Sequence, residues 1–165
     1  MYLILMRHAQ AEPMDPKRHR EDAERPLTPA GKKIQKKVAI ALKHMEYHPY
    51  CILASPRLRA RQTAEITAQA LGLESALKLD AVLADEYSPA ALVRLLRSFS
   101  DKTTICIGHE PDLSRFAGLM LGPEIGPRIR LETSGILIIR FDGAIDIGRG
   151  TLISLYAAED LLQSL

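Results

Sequence analysis

YLILMRHAQAE, residues 2–12, is an apolar run that breaks at once into a cation and an imidazole. Tyr2, Leu3, Ile4, Leu5 and Met6 read as a short buried strand. Arg7 and His8 then fall at its carboxyl end, where open parallel sheets bind their ligands. The pair points to anion chemistry, with Arg7 to hold a phosphate and His8 to attack it.

Outward from this run, strand-like and helix-like segments alternate. Residues 13–26, PMDPKRHREDAERP, mix charge and proline and read as a solvated loop. Thr28 suits an N-cap with Pro29 at the first helical position. Ile34, Val38, Ala41, Leu42 and Met45 follow at helical spacing, with Lys32, Lys33, Lys36 and Lys37 mostly on the opposite face. Cys51 to Ala54 is a second strand. Ser55 and Pro56 open a second helix that Gly72 ends. Leu77 to Leu83 is expected to be a third strand, and Ser88 and Pro89 start a helix carrying Leu92, Val93, Leu95, Leu96 and Phe99. Thr103 to Ile107 is a fourth strand, followed by Gly108, His109 and a helix over 111–121 ending near Gly122. Gly135 to Phe141 and Thr151 to Tyr156 flank a turn rich in Gly and Asp and read as a hairpin. A short last helix covers Glu159 to Gln163. This order predicts an α/β fold: a three-layer α/β/α sandwich with a mostly parallel central sheet and a C-terminal antiparallel hairpin.

The 165 residues suit one domain, 1–165, with a real core. Composition is ordinary for a globule, 47% hydrophobic and 25% charged, and the net charge of +2 makes no global case for nucleic acid or a membrane surface. No apolar run approaches the roughly 20 residues of a membrane-spanning helix. The N-terminus lacks the basic region of a signal peptide. A cytoplasmic protein is the expectation. Cys51 and Cys106 lie in apolar strand-like runs without metal-ligand spacing, and are expected to be buried free thiols.

Three strands end in chemistry of one kind. The first ends in Arg7 and His8, the second in Ser55 with Arg57, Arg59 and Arg61 beyond, the fourth in Gly108 and His109. In a parallel sheet these ends share one edge. Cations near a helix N-terminus are mildly unfavourable, by roughly 0.3–1 kcal/mol each. Three arginines there call for a bound anion, which the helix end itself favours.

On the strings LILMRHAQAE, RPLTPAG, LASPRLRARQTAE and TTICIGHEPDLS, in that order, the chain resembles the histidine phosphatase superfamily, and most of all its SixA-like phosphohistidine phosphatases. The resemblance spans nearly the whole chain and implies a phosphoglycerate mutase-like fold. It implies that His8 is the nucleophile that becomes phosphorylated, that Arg7 and Arg59 clamp the phosphoryl oxygens, and that His109 is the second histidine beside them. Arg59 is selected over Arg57 and Arg61 because it directly precedes Ala in the RAxQTA block. Arg25 is expected to border the site. Ala9 stands where the superfamily signature has Gly, as in the SixA-like branch. The superfamily's carboxylate general acid falls near Asp85 and Glu86, with Glu86 the better candidate.

Phosphoryl transfer asks the protein mainly for positioning and electrostatics. Arginine forks bind phosphate oxygens bidentately. Histidine attacks through one ring nitrogen when the other is held by a hydrogen bond, expected here from a backbone carbonyl. No metal and no cofactor are required, because the arginines and His109 supply the positive charge. An alkoxide leaving group, near the pKa of about 15.7 of water, needs a good acid. Imidazole, with a conjugate-acid pKa of about 6.5, leaves far more easily. The resemblance to the SixA-like branch implies no clear equivalent of the superfamily's carboxylate acid, and a site without one is better matched to phosphohistidine than to phosphoserine or a sugar phosphate. The expected partner is a phosphorylated histidine-containing protein such as a phosphotransfer domain, with phosphate ion as product.

Taken singly, each residue has a blander explanation: His8 and His109 as hydrogen-bonded strand-end residues, Arg59 as a surface arginine. Four in order make coincidence much the weaker account. His19, His44 and His48 are left without function. The competing functions are a small-molecule phosphomonoesterase of the same superfamily and a non-catalytic phosphoprotein-binding module. The intact His8 argues against the module, since binding needs no nucleophile.

Overall fold

The computed structural model describes residues 1–99, 101–122 and 129–163. Its elements run β1 (Tyr2–Arg7), α1 (Pro29–His44), β2 (Cys51–Ala54), α2 (Leu58–Leu71), β3 (Leu77–Leu79), α3 (Pro89–Arg97), β4 (Thr104–Gly108), α4 (Asp112–Leu121), β5 (Ile136–Arg140), β6 (Thr151–Tyr156) and α5 (Ala158–Gln163). One six-stranded sheet has the order β3-β2-β4-β1-β5-β6. The β3, β2, β4 and β1 strands are parallel, while β5 and β6 run antiparallel at one side. The mostly parallel α/β sheet with its terminal hairpin is the architecture the sequence predicts.

Successive strand residues face opposite ways, and β1 divides the core accordingly. Leu3 and Leu5 pack with Leu92 and Leu96 of α3 and Phe116 and Met120 of α4. Ile4 and Met6 pack on the other face with Val38 and Leu42 of α1, Ala60, Ala64 and Ala68 of α2, and Leu161 of α5. Because β1 is covered on both faces, it reads as a continuous apolar run rather than an alternating one. Each such buried aliphatic side chain contributes roughly 1.5–3 kcal/mol relative to exposure.

The caps follow the sequence. Thr28 Oγ1 accepts from the Gly31 N–H at 2.9 Å, with Pro29 opening α1. Gly72 ends α2 at φ 71°, the left-handed conformation that costs glycine least. Ser88 caps α3 ahead of Pro89. Cys51 and Cys106 are buried and free.

Three expectations need correction. The strand expected over 77–83 stops at Leu79, because the Asp80 carboxylate accepts from the Val82 N–H at 2.9 Å and turns 81–83 into a single 3-10 turn. The second helix begins at Leu58 rather than at Ser55 and Pro56, and Ser55 is fully buried at the end of β2. Segment 13–26 is not simply a solvated loop. Its base is closed by a bridge between Ala11 and Leu27, it holds a 3-10 turn over Asp22–Glu24, and its His19 is buried within 3.4 Å of the Glu12 carboxylate.

Candidate active site

Register places the chemistry. Arg7 of β1 pairs with Gly108 of β4, and Ala54 of β2 pairs with Ile107 of β4. His8 and His109 therefore leave the sheet at the same level, with Ser55 one residue short of them, level with Gly108. The His8 N–H donates to the Gly108 carbonyl at 3.1 Å and the Ser55 N–H to the Ile107 carbonyl at 3.0 Å. His8, Ser55 and His109 thus emerge side by side, and the His8 and His109 rings lie 5.1 Å apart between centroids.

His8 is buried, with Nδ1 2.7 Å from the Ala9 carbonyl oxygen. A carbonyl can only accept, so Nδ1 carries the hydrogen and Nε2 keeps its lone pair. Arg59 Nε–H donates to that lone pair at 3.2 Å. The carbonyl expected to orient His8 is its own neighbour's. Thr63 fixes this corner: its hydroxyl accepts from the Ala9 N–H at 3.0 Å and donates to the Arg59 carbonyl at 2.7 Å.

Arg59 is 4% exposed, although it sits in the first turn of α2. Arg61 instead turns outward to Glu65 at 2.8 Å, and Arg57 reaches Asp85 at the rim. Arg7 Nη1 donates to the Leu131 carbonyl at 3.0 Å, while its buried Nε has no partner among the described residues. An unpaired buried donor costs roughly 1–3 kcal/mol, and an anion in the pocket would satisfy it. His109 Nε2 lies 2.7 Å from Ser55 Oγ, and its buried Nδ1 is likewise unpartnered among the described residues.

Arg7, His8, Gln10, Arg25, Arg57, Arg59 and His109 share the wall of a pocket of about 330 Å³ with Glu110. Burial pushes the His8 imidazole down to about 4, opposed by the Ala9 hydrogen bond and reinforced by Arg59, Arg7 and Arg25. Burial, with His8, Arg59 and Arg57 adding to it, lowers His109 to about 3. Both rings are therefore neutral at pH 7, in a site whose fixed positive charge is arginine.

Arg7, His8, Arg59 and His109 come together in this pocket, and Arg25 joins them. Glu86 does not: it is exposed and absent from the wall, on the turn after the 3-10 segment. Asp85 comes closer, but its carboxylate is ion-paired with Arg57, which holds it below the usual carboxylate range. Sequence reasoning missed Asp22, Ser55 and Thr63 as parts of the site. Asp22 Oδ1 pairs with Arg25 at 2.7 Å and Oδ2 with Arg59 at 2.9 Å. Partial burial works against its ionisation, but hydrogen bonding to Arg25 and the charge of Arg59 outweigh this and lower its pKa. No sequence signal singled it out, because Asp22 is one of four acids balanced by four Lys and Arg residues in 13–26. Ser55 was visible as a strand end, and Thr63 belonged to a quoted string.

A cluster of arginines around a buried, neutral imidazole is a site for an oxyanion and a nucleophile. The sequence matches the histidine phosphatase superfamily (branch 1) over residues 3–85. It is 36% identical over 148 residues, 87% of each chain, to an uncharacterized protein of Picosynechococcus sp.. Among solved structures it resembles the protein histidine phosphatase SixA complexed with tungstate, at TM-score 0.84 and 26% identity, covering 98% of this chain and 99% of that one. The fold is also that of an Entamoeba histolytica phosphoserine phosphatase in complex with 3-phosphoglyceric acid, at TM-score 0.66 and 20% identity, covering 98% and 99%. The chain belongs to the histidine phosphatase superfamily, and within it is SixA-like. It is a phosphatase.

Proposed function

We propose that the protein removes phosphate from phosphohistidine on a signalling or phosphotransfer protein, through a covalent phosphohistidine at His8. The observation that carries this reading is the His8 hydrogen-bond pattern. Nδ1 is committed to Ala9, and Nε2 keeps a lone pair that, among the described residues, meets only the Arg59 Nε–H at 3.2 Å. When a phosphoryl group arrives, Nε2 bonds to phosphorus as the bond to the substrate nitrogen breaks, and the departing imidazole takes a proton from water. Arg7 and Arg59 hold the equatorial oxygens, with Arg25 beside them. Ser55 Oγ lies within reach of the Arg57 N–H, at 3.3 Å, and of His109 Nε2. Accepting from the first and donating to the second, it leaves the His109 hydrogen on Nδ1, free to donate to a phosphoryl oxygen. In the second step a water oxygen bonds to phosphorus, the bond to His8 breaks, the surplus proton of that water neutralises the hydroxide left by the first step, and phosphate leaves. The arginines supply the stabilising charge and the neutral His109 adds a hydrogen bond, so the reading needs no metal.

The carboxylates near the pocket support imidazole as the leaving group. Arginines hold Asp22 and Asp85 towards their ionised forms, and Glu110 Oε1 accepts from Ser114 Oγ at 2.7 Å and the Leu131 N–H at 3.2 Å. Neither aspartate is a ready acid for an alkoxide. The test is to incubate the protein and His8→Ala with a phosphorylated histidine-containing transfer domain and with a panel of phosphate esters. Loss of label from the protein substrate, absent in the variant and accompanied by an acid-labile phosphoenzyme, is expected. Efficient ester hydrolysis with the phosphohistidine untouched identifies a small-molecule phosphomonoesterase instead. Binding without turnover identifies a phosphoprotein-binding module.

A further inference from the structure

The segment 13–26 reaches the site through Arg25, in the pocket wall, and through Asp22, which grips Arg59. The Asp22 carbonyl accepts from Arg59 Nη1 at 2.8 Å, and Asp22 Oδ2 accepts from Arg59 Nη2 at 2.9 Å. A guanidinium presents five N–H groups in one rigid plane. The two acceptors of Asp22 take the end of the plane, where Nη1 and Nη2 lie side by side. The other edge, Nε–H with the second Nη2 hydrogen, is the one that meets His8 Nε2. Two contacts at one end of a rigid fork fix the direction of the other edge. The Asp22 side chain is in turn held by Arg25, whose Nε donates to Oδ1 at 2.7 Å and whose Nη1 donates to the Glu12 carbonyl at 2.8 Å, just beyond β1.

We propose that Asp22 is a positioning residue, which aims the Nε/Nη2 edge of Arg59 at the phosphoryl group on His8 and ties that aim to segment 13–26. The inference rests on the reading of Arg59 as a phosphoryl clamp. Its physical content is a choice of sign. A carboxylate near an oxyanion site opposes anion binding by simple Coulomb repulsion, so removing it would tighten binding. A carboxylate that orients the clamp does the reverse, because misaimed arginine loses bidentate geometry.

Tungstate, a tetrahedral oxyanion, is the probe, read by calorimetric titration of the full chain. Asp22→Ala is expected to weaken tungstate binding at least tenfold and to lower kcat by a similar factor. Arg59→Ala is expected to weaken tungstate binding about a hundredfold. The double variant is expected to match Arg59→Ala within threefold, since a residue acting through Arg59 has nothing left to aim. Tighter binding in Asp22→Ala overturns the inference, and so does a multiplicative loss in the double variant. If Asp22→Ala does not fold, Asp22→Asn, which keeps the shape and loses the charge, carries the same expectations and the same refutations. Unchanged affinity in Arg59→Ala refutes the clamp reading itself. A weakened Arg59→Ala beside an unchanged Asp22→Ala refutes only the role of Asp22.

Discussion

Arg59 Nε lies 3.2 Å from His8 Nε2, so a side chain on the first turn of α2 occupies the lone pair at the end of β1. An incoming phosphoryl group must take this place. The contact holds the guanidinium edge where phosphoryl oxygens will lie. Arg59→Lys keeps a charge but loses the planar fork. It is expected to lower kcat/KM by at least a hundredfold while the fold, followed by circular dichroism, is retained. Activity within threefold of the parent would show that charge alone suffices.

The pH dependence follows from the two depressed imidazoles. His8 lies near 4 and His109 near 3, against 6.5 for the ordinary side chain. Below about pH 6.5 the unfolded chain binds protons at these positions that the folded chain does not, so stability falls as pH drops through 6.5 towards 4. Above 6.5 both states are neutral there and the contribution is flat. His109→Gln is expected to shallow the fall in melting temperature between pH 7 and 4. The acid limb of kcat/KM is expected near pH 4, where His8 Nε2 takes a proton, and a limb at 6.5 would contradict a buried neutral nucleophile.

Ser55 is fully buried and its hydroxyl reaches His109. Ser55→Ala frees the ring and leaves His109 Nε2 without its partner, at a cost of roughly 1–3 kcal/mol. We expect kcat to fall about tenfold with little change in KM for the protein substrate. A change confined to KM would place His109 in substrate binding alone.

A methyl group at Gly31 would stand 2.3 Å from the Gln10 carbonyl oxygen, which no packing adjustment of a flexible side chain relieves. Gly31→Ala must push the start of α1 away from residues 9–10, next to the nucleophile. Overpacking of this kind costs typically 1–3 kcal/mol. A lowered urea midpoint together with reduced activity is expected, and an unchanged midpoint would mean that the close approach relaxes freely.

Much of the fold was legible because its signals are local. The run Leu3 to Met6 is apolar without alternation, as a strand covered on both faces must be. Thr28 with Pro29 and Ser88 with Pro89 mark helix starts through their own hydrogen-bonding and backbone preferences. The third strand was overextended because Val82 and Leu83 are buried and apolar in a turn as they would be in a strand. Only the Asp80 cap separates the two outcomes, and periodicity does not register a cap.

By itself the sequence determined the sheet's parallel core, the chain order of Arg7, His8, Arg59 and His109, and the strand ends from which His8 and His109 project. Those follow from hydrophobic burial and short-range capping, which act on neighbours along the chain. Tertiary structure alone decided that Arg59 turns inward while Arg61 turns to Glu65, that Asp22 from a charged loop grips the inward one, and that Glu86 is exposed and takes no part in the pocket wall. Ion pairs between residues 37 apart, such as Asp22 and Arg59, are chosen by side-chain geometry after the layers have packed. No periodicity encodes them, because any carboxylate in a solvated loop offers the same chemistry until the fold brings one within reach.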